Sequence, residues 1–284
     1  MGTTEDFNLL LSDFNKVQEG VFLDNINNFA GNNKETVIKT FSLLLKSENV
    51  SIQLKYLVLK SMGELKYSEF IPIIRQLLER GDKVRIIQAA IDSLVRMNTM
   101  EVYKTITLFL RENPDTEFKM QIEEGLKELL NKNKLLYHFD VFYRDRGGGG
   151  GGEGGSGGVD SKSIEKSSDF LVKHLPEIYV KDILPALSGK FYDIRFGALQ
   201  ILENKPNPLY YMPIYNLFKI HGQSASSADE KFFLALSQAL VTNAALSKLS
   251  SQIFSSLKER LQELEGNKRL IFAIMLLKLD TPAM

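Results

Sequence analysis

Three histidines, His138, His174 and His221, are the first residues to weigh as catalysts or metal ligands. They lie far apart in sequence. None stands in the His-Glu-x-x-His spacing that sets two imidazoles on one helix face for zinc. Helix-end or surface histidines are therefore expected. Carboxylate pairs occur at Glu123 and Glu124 and at Glu263 and Glu265. Such pairs do general acid–base work when their environments push the two pKa values apart. Here they sit in lysine-rich amphipathic stretches, where a solvated polar face is expected. Cysteine is absent, which removes disulfides, zinc-thiolate sites and a cysteine nucleophile. The glycine run 147–158 contains no Lys-Ser/Thr and opens onto no strand–helix unit, so it is no phosphate cradle. No catalytic, cofactor-binding or metal-ligating set is expected, and the chain reads as non-enzymatic.

Charge narrows the partners. Lys plus Arg equals Asp plus Glu, at 35 each. Residues 1–146 carry 20 basic and 21 acidic side chains, and residues 159–284 carry 15 and 13. Neither part has the basic excess that counterion release at phosphates requires, so nucleic acid is not expected as a partner. The first residues, "MGTTEDFNLLLSDF", lack the basic region and long apolar core of a signal peptide. No run of 18 apolar residues exists, so no membrane insertion is expected. A cytoplasmic location fits these features and the missing cysteine.

The elements that must position any site are helices. Apolar residues recur at three- and four-residue spacing, and strand-like alternation is scarce. Val37, Phe41, Leu44 and Leu45 share one face, as do Leu54, Val58, Met62 and Leu65. Asn, Asp, Gly and Pro punctuate the runs at "AGNN", "ERGD", "ENPD", "NKPNP" and "LEGN". The expected helices are 4–18, 22–29, 34–47, 50–65, 68–79, 83–97, 100–112, 115–131, 134–144, 163–174, 178–188, 192–203, 208–220, 229–242, 246–264 and 268–279.

A repeat appears when the sequence is shifted by 32 residues. Leu54 then overlies Ile86, Val58 overlies Ala90, Ser61 overlies Ser93, Met62 overlies Leu94 and Leu65 overlies Met97. Phe70 falls over Val102 and Leu78 over Leu110 in the following helix. One antiparallel helix pair cannot bury its apolar stripe alone, whereas stacked copies make one continuous core.

The segment "ILPALSGKFYDIRFGALQIL" resembles a HEAT repeat through Leu184, Pro185, Leu187, Asp193, Ile194, Arg195, Ala198, Leu199 and Leu202. The proline context returns at Ile71-Pro72-Ile73-Ile74 and Met212-Pro213-Ile214-Tyr215, and Asp82 with Val84-Arg85 repeats the turn. The resemblance covers roughly residues 34–131 and 176–279. It implies an all-α fold, an α-α superhelix of stacked antiparallel helix pairs. It also implies a turn Asp and a second-helix Arg that bond between neighbouring units. Armadillo-like packing is a near alternative, because residues 50–112 lack a proline in their second unit and an Arg at Lys55. In such arrays the second helices line the concave face. Gln53, Lys60 and Glu64, then Gln88, Asp92 and Arg96, then Glu123 and Lys127 would form neighbouring rows there. These rows are the candidate contact for another protein, with ordinary surface solvation as the plainer reading. Asp92 and Arg96 are spaced i,i+4 and could pair.

The second candidate is "KLLYHFDVFYRDR", where Phe139, Phe142 and Tyr143 belong to a broad apolar face. It is either the packing helix that closes the N-terminal stack or a docking segment for a partner or for the C-terminal half. The expected organisation is residues 1–146 and 159–284 as two sets of HEAT-like repeats. Between them lies a flexible glycine-rich linker, 147–158, with an abrupt composition change at both edges and "VD" after it. An engineered linker is the favoured reading. It would replace a loop within one array or fuse two interacting helical proteins, and contact between the linked halves is expected. As a flexible coil it would span about 20 Å root-mean-square. The expected function is a protein-interaction scaffold or an assembly subunit. The rival is a HEAT-like enzyme or binding protein acting on nucleic acid, weakened by the absence of tryptophan and of positive excess.

Overall fold

The computed structural model describes residues 4–143, 160–189, 191–222, 230–246 and 250–280, so the glycine run 147–158 lies outside the described residues. Among the described residues there are fifteen α-helices, three 3-10 stretches and no strand. The chain divides into two compact units, Met1–Leu136 and Tyr137–Met284. The division falls inside a helix, before the boundary at 146 that the sequence suggests.

Unit 1 begins with α1 (Thr4–Ser12), a 3-10 turn (Phe14–Lys16) and the long α2 (Glu19–Lys46). The sequence suggests two helices with a break at "AGNN". Instead α2 runs through, kinked where Asn33 leaves helical geometry at φ −132° and ψ 36°. The Asn33 side chain donates to the Phe29 carbonyl at 3.1 Å, which supplies that carbonyl with a partner at the kink. There follow α3 (Ile52–Leu65), α4 (Phe70–Arg80), α5 (Val84–Met97), α6 (Met100–Glu112), α7 (Lys119–Lys132) and α8 (Lys134–Tyr143). Ser51 caps α3 by accepting from the Leu54 N–H at 3.2 Å, and Thr99 caps α6 through Val102 at 3.3 Å. Two ends use left-handed residues without glycine. Lys66 closes α3 at φ 55° and Asn98 closes α5 at φ 51°, and the two positions differ by 98 − 66 = 32.

Helices α3, α5 and α7 pack successively in one layer, and α2, α4 and α6 in the other. The core between them holds Val58, Met62, Ile74, Ile87, Ile91, Leu94, Val102 and Leu129, each essentially without exposure. Burial of such side chains contributes roughly 1.5–3 kcal/mol each. The α3–α5–α7 layer closes tightly. Ser93 donates to the Leu59 carbonyl of α3. At Gly125 a Cβ would stand 2.3 Å from the Ile91 Cγ2, so only glycine lets α7 approach α5 this closely.

Unit 2 contains the last part of α8, then α9 (Ser161–His174), α10 (Glu177–Val180), a 3-10 stretch (Lys181–Ser188) and α11 (Tyr192–Asn204). It continues with a 3-10 turn (Pro208–Tyr210), α12 (Tyr211–Gly222), α13 (Glu230–Ala245), α14 (Ser250–Glu263) and α15 (Gly266–Asp280). The stretch expected as a helix over 178–188 winds into 3-10 geometry around Pro185, which has no N–H to give to an α-helical ladder. Helices α9, α11, α13 and α15 pack successively, with the Lys181–Ser188 stretch on α11 and α12 on α13. Asn243 has no exposure. Its amide donates to the Leu202 and Ala239 carbonyls at 3.1 and 2.7 Å and accepts from the Asn207 N–H at 2.7 Å. It thereby ties the chain after α11 to α13.

Candidate functional site

The polar rows expected on the inner helices are brought together by the α3–α5–α7 layer. Gln53 and Arg85 join α3 to α5 at 3.1 Å, 32 residues apart. Glu64 and Arg96 do the same at 3.6 Å, and 96 − 64 is again 32. Both contacts therefore tie α3 to α5 at the same sequence offset. Arg85 also lies 5.2 Å from the Tyr56 ring centroid. Gln88, Asp92, Arg96, Glu123 and Lys127 are exposed.

The first row is less open than the sequence implies. Gln53, Lys60 and Glu64 are half-buried. Lys60 pairs with Glu19, and Glu64 accepts from Asn27 at 3.4 Å. Both partners lie on the first half of α2, which therefore lies along this edge of α3. Asp92 and Arg96 do not pair with each other. Asp92 accepts from Gln88 at 2.9 Å, while Arg96 turns to Glu64. The partner on α3 outcompetes the i,i+4 one, so two exposed charges on α5 hold separate positions.

The aromatic candidates sit elsewhere. Phe139 and Phe142 have no exposure and Tyr143 has 5%, so these rings fill the core and present no open docking surface. Tyr137–Tyr143 belongs to unit 2. His138 meets the Ser167 hydroxyl at 2.9 Å, and its ring lies 4.3 Å from that of Phe170, tilted by 31°. A Cβ on Gly197 would stand 2.9 Å from the Phe142 ring. The segment before the glycine run thus packs on α9 and α11, which follow it.

The turn residues depart from the expected pattern. Asp82 faces the buried Lys55 at 3.8 Å instead of an arginine. Asp193 accepts from the Ser161 hydroxyl at 2.6 Å. Arg195 lies 5.3 Å from the Phe232 centroid.

Among the described residues no group of three His, Asp or Glu side chains could hold a metal. Glu263 pairs with Arg260, and Glu123 and Glu124 are exposed. Lys34 hydrogen-bonds the Glu69 carboxylate at 2.6 Å and holds it below the usual carboxylate range, and both groups are near half exposure, so the pair is a surface one. Burial pushes the Tyr211 phenol up to about 12, a consequence of packing in unit 2. A cavity of about 360 Å³ near Gln238, Val241 and Thr242 has Glu203 as the one ionisable group in its lining. Among the described residues no helix is long and apolar enough to cross a membrane. No protein-family model matches the chain, and comparison with curated proteins and with solved structures finds no match, so its function rests on these residues alone.

Proposed function

We propose that this chain is a non-enzymatic protein-interaction scaffold or assembly subunit, built as a HEAT-like α-solenoid whose α3–α5–α7 face meets another protein. The carrying observation is the set of cross-repeat bonds, Gln53 to Arg85 and Glu64 to Arg96, at one 32-residue offset. Bonds of this kind fix the spacing between rows of charge before any partner arrives. Preorganised charge favours encounter and specificity more than raw affinity. Exposed Gln88, Asp92, Glu123 and Lys127 supply the contact groups.

The glycine run is best read as a loop replacement within one array. Two observations support this over a fusion of two proteins. The helix before the run packs in the same compact unit as the helices after it. The 32-residue offset also recurs beyond the run, in Ser161 to Asp193 and Ser168 to Gln200 at 2.6 and 2.9 Å.

The test exchanges charge where no repeat-to-repeat bond is lost. Asp92→Arg combined with Lys127→Glu leaves net charge and the Glu64–Arg96 pair intact. The fold should hold, since isolated surface changes move stability by about 0.5 kcal/mol or less. Proteins captured from the source cell by the wild type and by the double variant are then compared. Loss of a partner several-fold or more supports the face. Retention of every partner removes it. A steep fall of DNA affinity with rising salt would instead bring back the nucleic-acid reading.

A further inference from the structure

We propose that the N-terminal end of α11 docks an acidic peptide segment of a protein partner, with the Arg195 guanidinium taking a carboxylate and Phe191, Tyr192 and Phe196 taking its apolar neighbours. This rests on the interaction-scaffold reading and names the chemistry of a partner.

Arg195 lies one turn after Phe191, whose carbonyl accepts its backbone N–H at 3.2 Å. Its guanidinium carbon stands 5.3 Å from the centroid of Phe232 on α13, a ring with no exposure. The Nε is enclosed and has no hydrogen-bond partner. Among the described residues no carboxylate pairs with this guanidinium. The carboxylate nearest in sequence, Asp193, accepts from Ser161. The residue as a whole is only half-buried, which leaves the outer end of the fork, the end that binds carboxylates, within reach of a ligand.

The surroundings explain why that end matters. A guanidinium laid on an aromatic ring has already lost part of its hydration and rotamer freedom. An incoming carboxylate then meets a fixed fork and can bond it in bidentate fashion. Two exposed aromatic residues precede it in the chain. Phe191 is 61% exposed and Tyr192 36%. Tyr192 stacks with Phe196 at 6.3 Å and reaches Phe232 at 5.4 Å. Exposed aromatic residues beside an arginine are the types that most often carry binding energy. One fork with one positive charge suits a carboxylate among apolar side chains. A nucleic-acid backbone binds through several cations at once.

The test uses the full chain and two tetrapeptide amides. One is Ac-Phe-Asp-Phe-Glu amide and the other is its Asn/Gln counterpart. The Arg195 Nε–H resonance in nitrogen-15 spectra is assigned by its loss in Arg195→Lys. It should move saturably with the acidic peptide and far less with the amide one. Arg195→Gln should weaken the acidic peptide by about tenfold and Phe191→Ser by about threefold, as for losing one charge-assisted contact or one apolar contact at a partly exposed site. Circular dichroism checks the fold. Phe191→Ser, on an exposed residue, keeps the test valid should Arg195→Gln unfold the unit. Equal response to both peptides, or unchanged affinity in both variants, overturns the proposal. So does an oligothymidylate that moves the resonance when the acidic peptide does not. No response here, together with partner loss in the Asp92 and Lys127 exchange, removes this site and leaves the scaffold reading standing. Peptide binding here with a harmless exchange moves the contact off the α3–α5–α7 face.

Discussion

Gly125→Ala should destabilise the protein, although the same change in most helices would stabilise it. Alanine is favoured over glycine inside a helix by about 1 kcal/mol. Gly125 lies inside α7, so that gain applies. Against it stands the Ile91 Cγ2, 2.3 Å from the new Cβ, with the Val95 Cγ2 at 3.5 Å. Carbon atoms prefer separations near 3.5–4.0 Å, so the isoleucine methyl must retreat by roughly 1 Å. Ile91 is 1% exposed and β-branched, which leaves it few rotamers inside a helix. Overpacking of this kind costs about 1–3 kcal/mol. At so short an approach the upper part of that range applies, and the net loss is about 1–2 kcal/mol. Gly31→Ala is the control. Gly31 is exposed in α2 with nothing within 4 Å of a Cβ, so that change should stabilise by about 0.5–1 kcal/mol. Urea midpoints measure both, with hydrogen exchange at α5 and α7 locating the first effect. Adding Ile91→Ala to Gly125→Ala should recover about 1 kcal/mol relative to the sum of the single changes. A raised midpoint for Gly125→Ala, or strict additivity in that cycle, would refute the close approach of α5 and α7.

Three further outcomes are expected. Phe142→Ala should cost about 3–5 kcal/mol, as for other buried aromatic truncations, and exchange should accelerate in α9 and α11 while α3 and α5 stay protected. Cleavage at a protease site placed within 147–158 should leave fragments that still co-elute, because Tyr137–Tyr143 packs in unit 2; separation on a sizing column would contradict that placement. The Tyr211 phenol is pushed up by burial, to about 12, above the ordinary value of 10. The folded state therefore holds that proton when the unfolded chain has released it. Stability should be unaffected below pH 10 and fall by about 1–3 kcal/mol as pH rises from 10 toward 12, and Tyr211→Phe should abolish this component in pH-dependent melting.

The sequence made most helices legible because their apolar stripes alternate with polar residues at a clear period. Val84–Met97 and Met100–Glu112 follow that pattern closely. The 32-residue shift was legible for the same reason, and bonded pairs now sit at that offset. The break predicted at "AGNN" failed because Asn33 satisfies a backbone carbonyl itself, so the helix bends and continues. The candidate rows were legible as polar positions, whereas their partners were not. Nothing in the local pattern says that Glu19 and Asn27 come back to Lys60 and Glu64. Likewise, the aromatic face of α8 was visible, but not that Gly197 makes room for Phe142. Arg195 was noticed for its position in the expected repeat, and only the packing places its guanidinium over Phe232 with its Nε enclosed and unpartnered.

The left-handed residues at Lys66 and Asn98 have a consequence for how this chain can change length. Both α3 and α5 contain 14 residues before those ends, or about 21 Å of helix. A single residue gained or lost within either helix would turn everything beyond it by about 100°. The apolar stripe would leave the core, and a residue unsuited to positive φ would fall on the terminus. Insertions and deletions within α3 and α5 should therefore be rejected, while the connections at 47–50, 67–69 and 113–118 can absorb them. The two ends act as fixed stops, and length variation is confined to the rims of the layer.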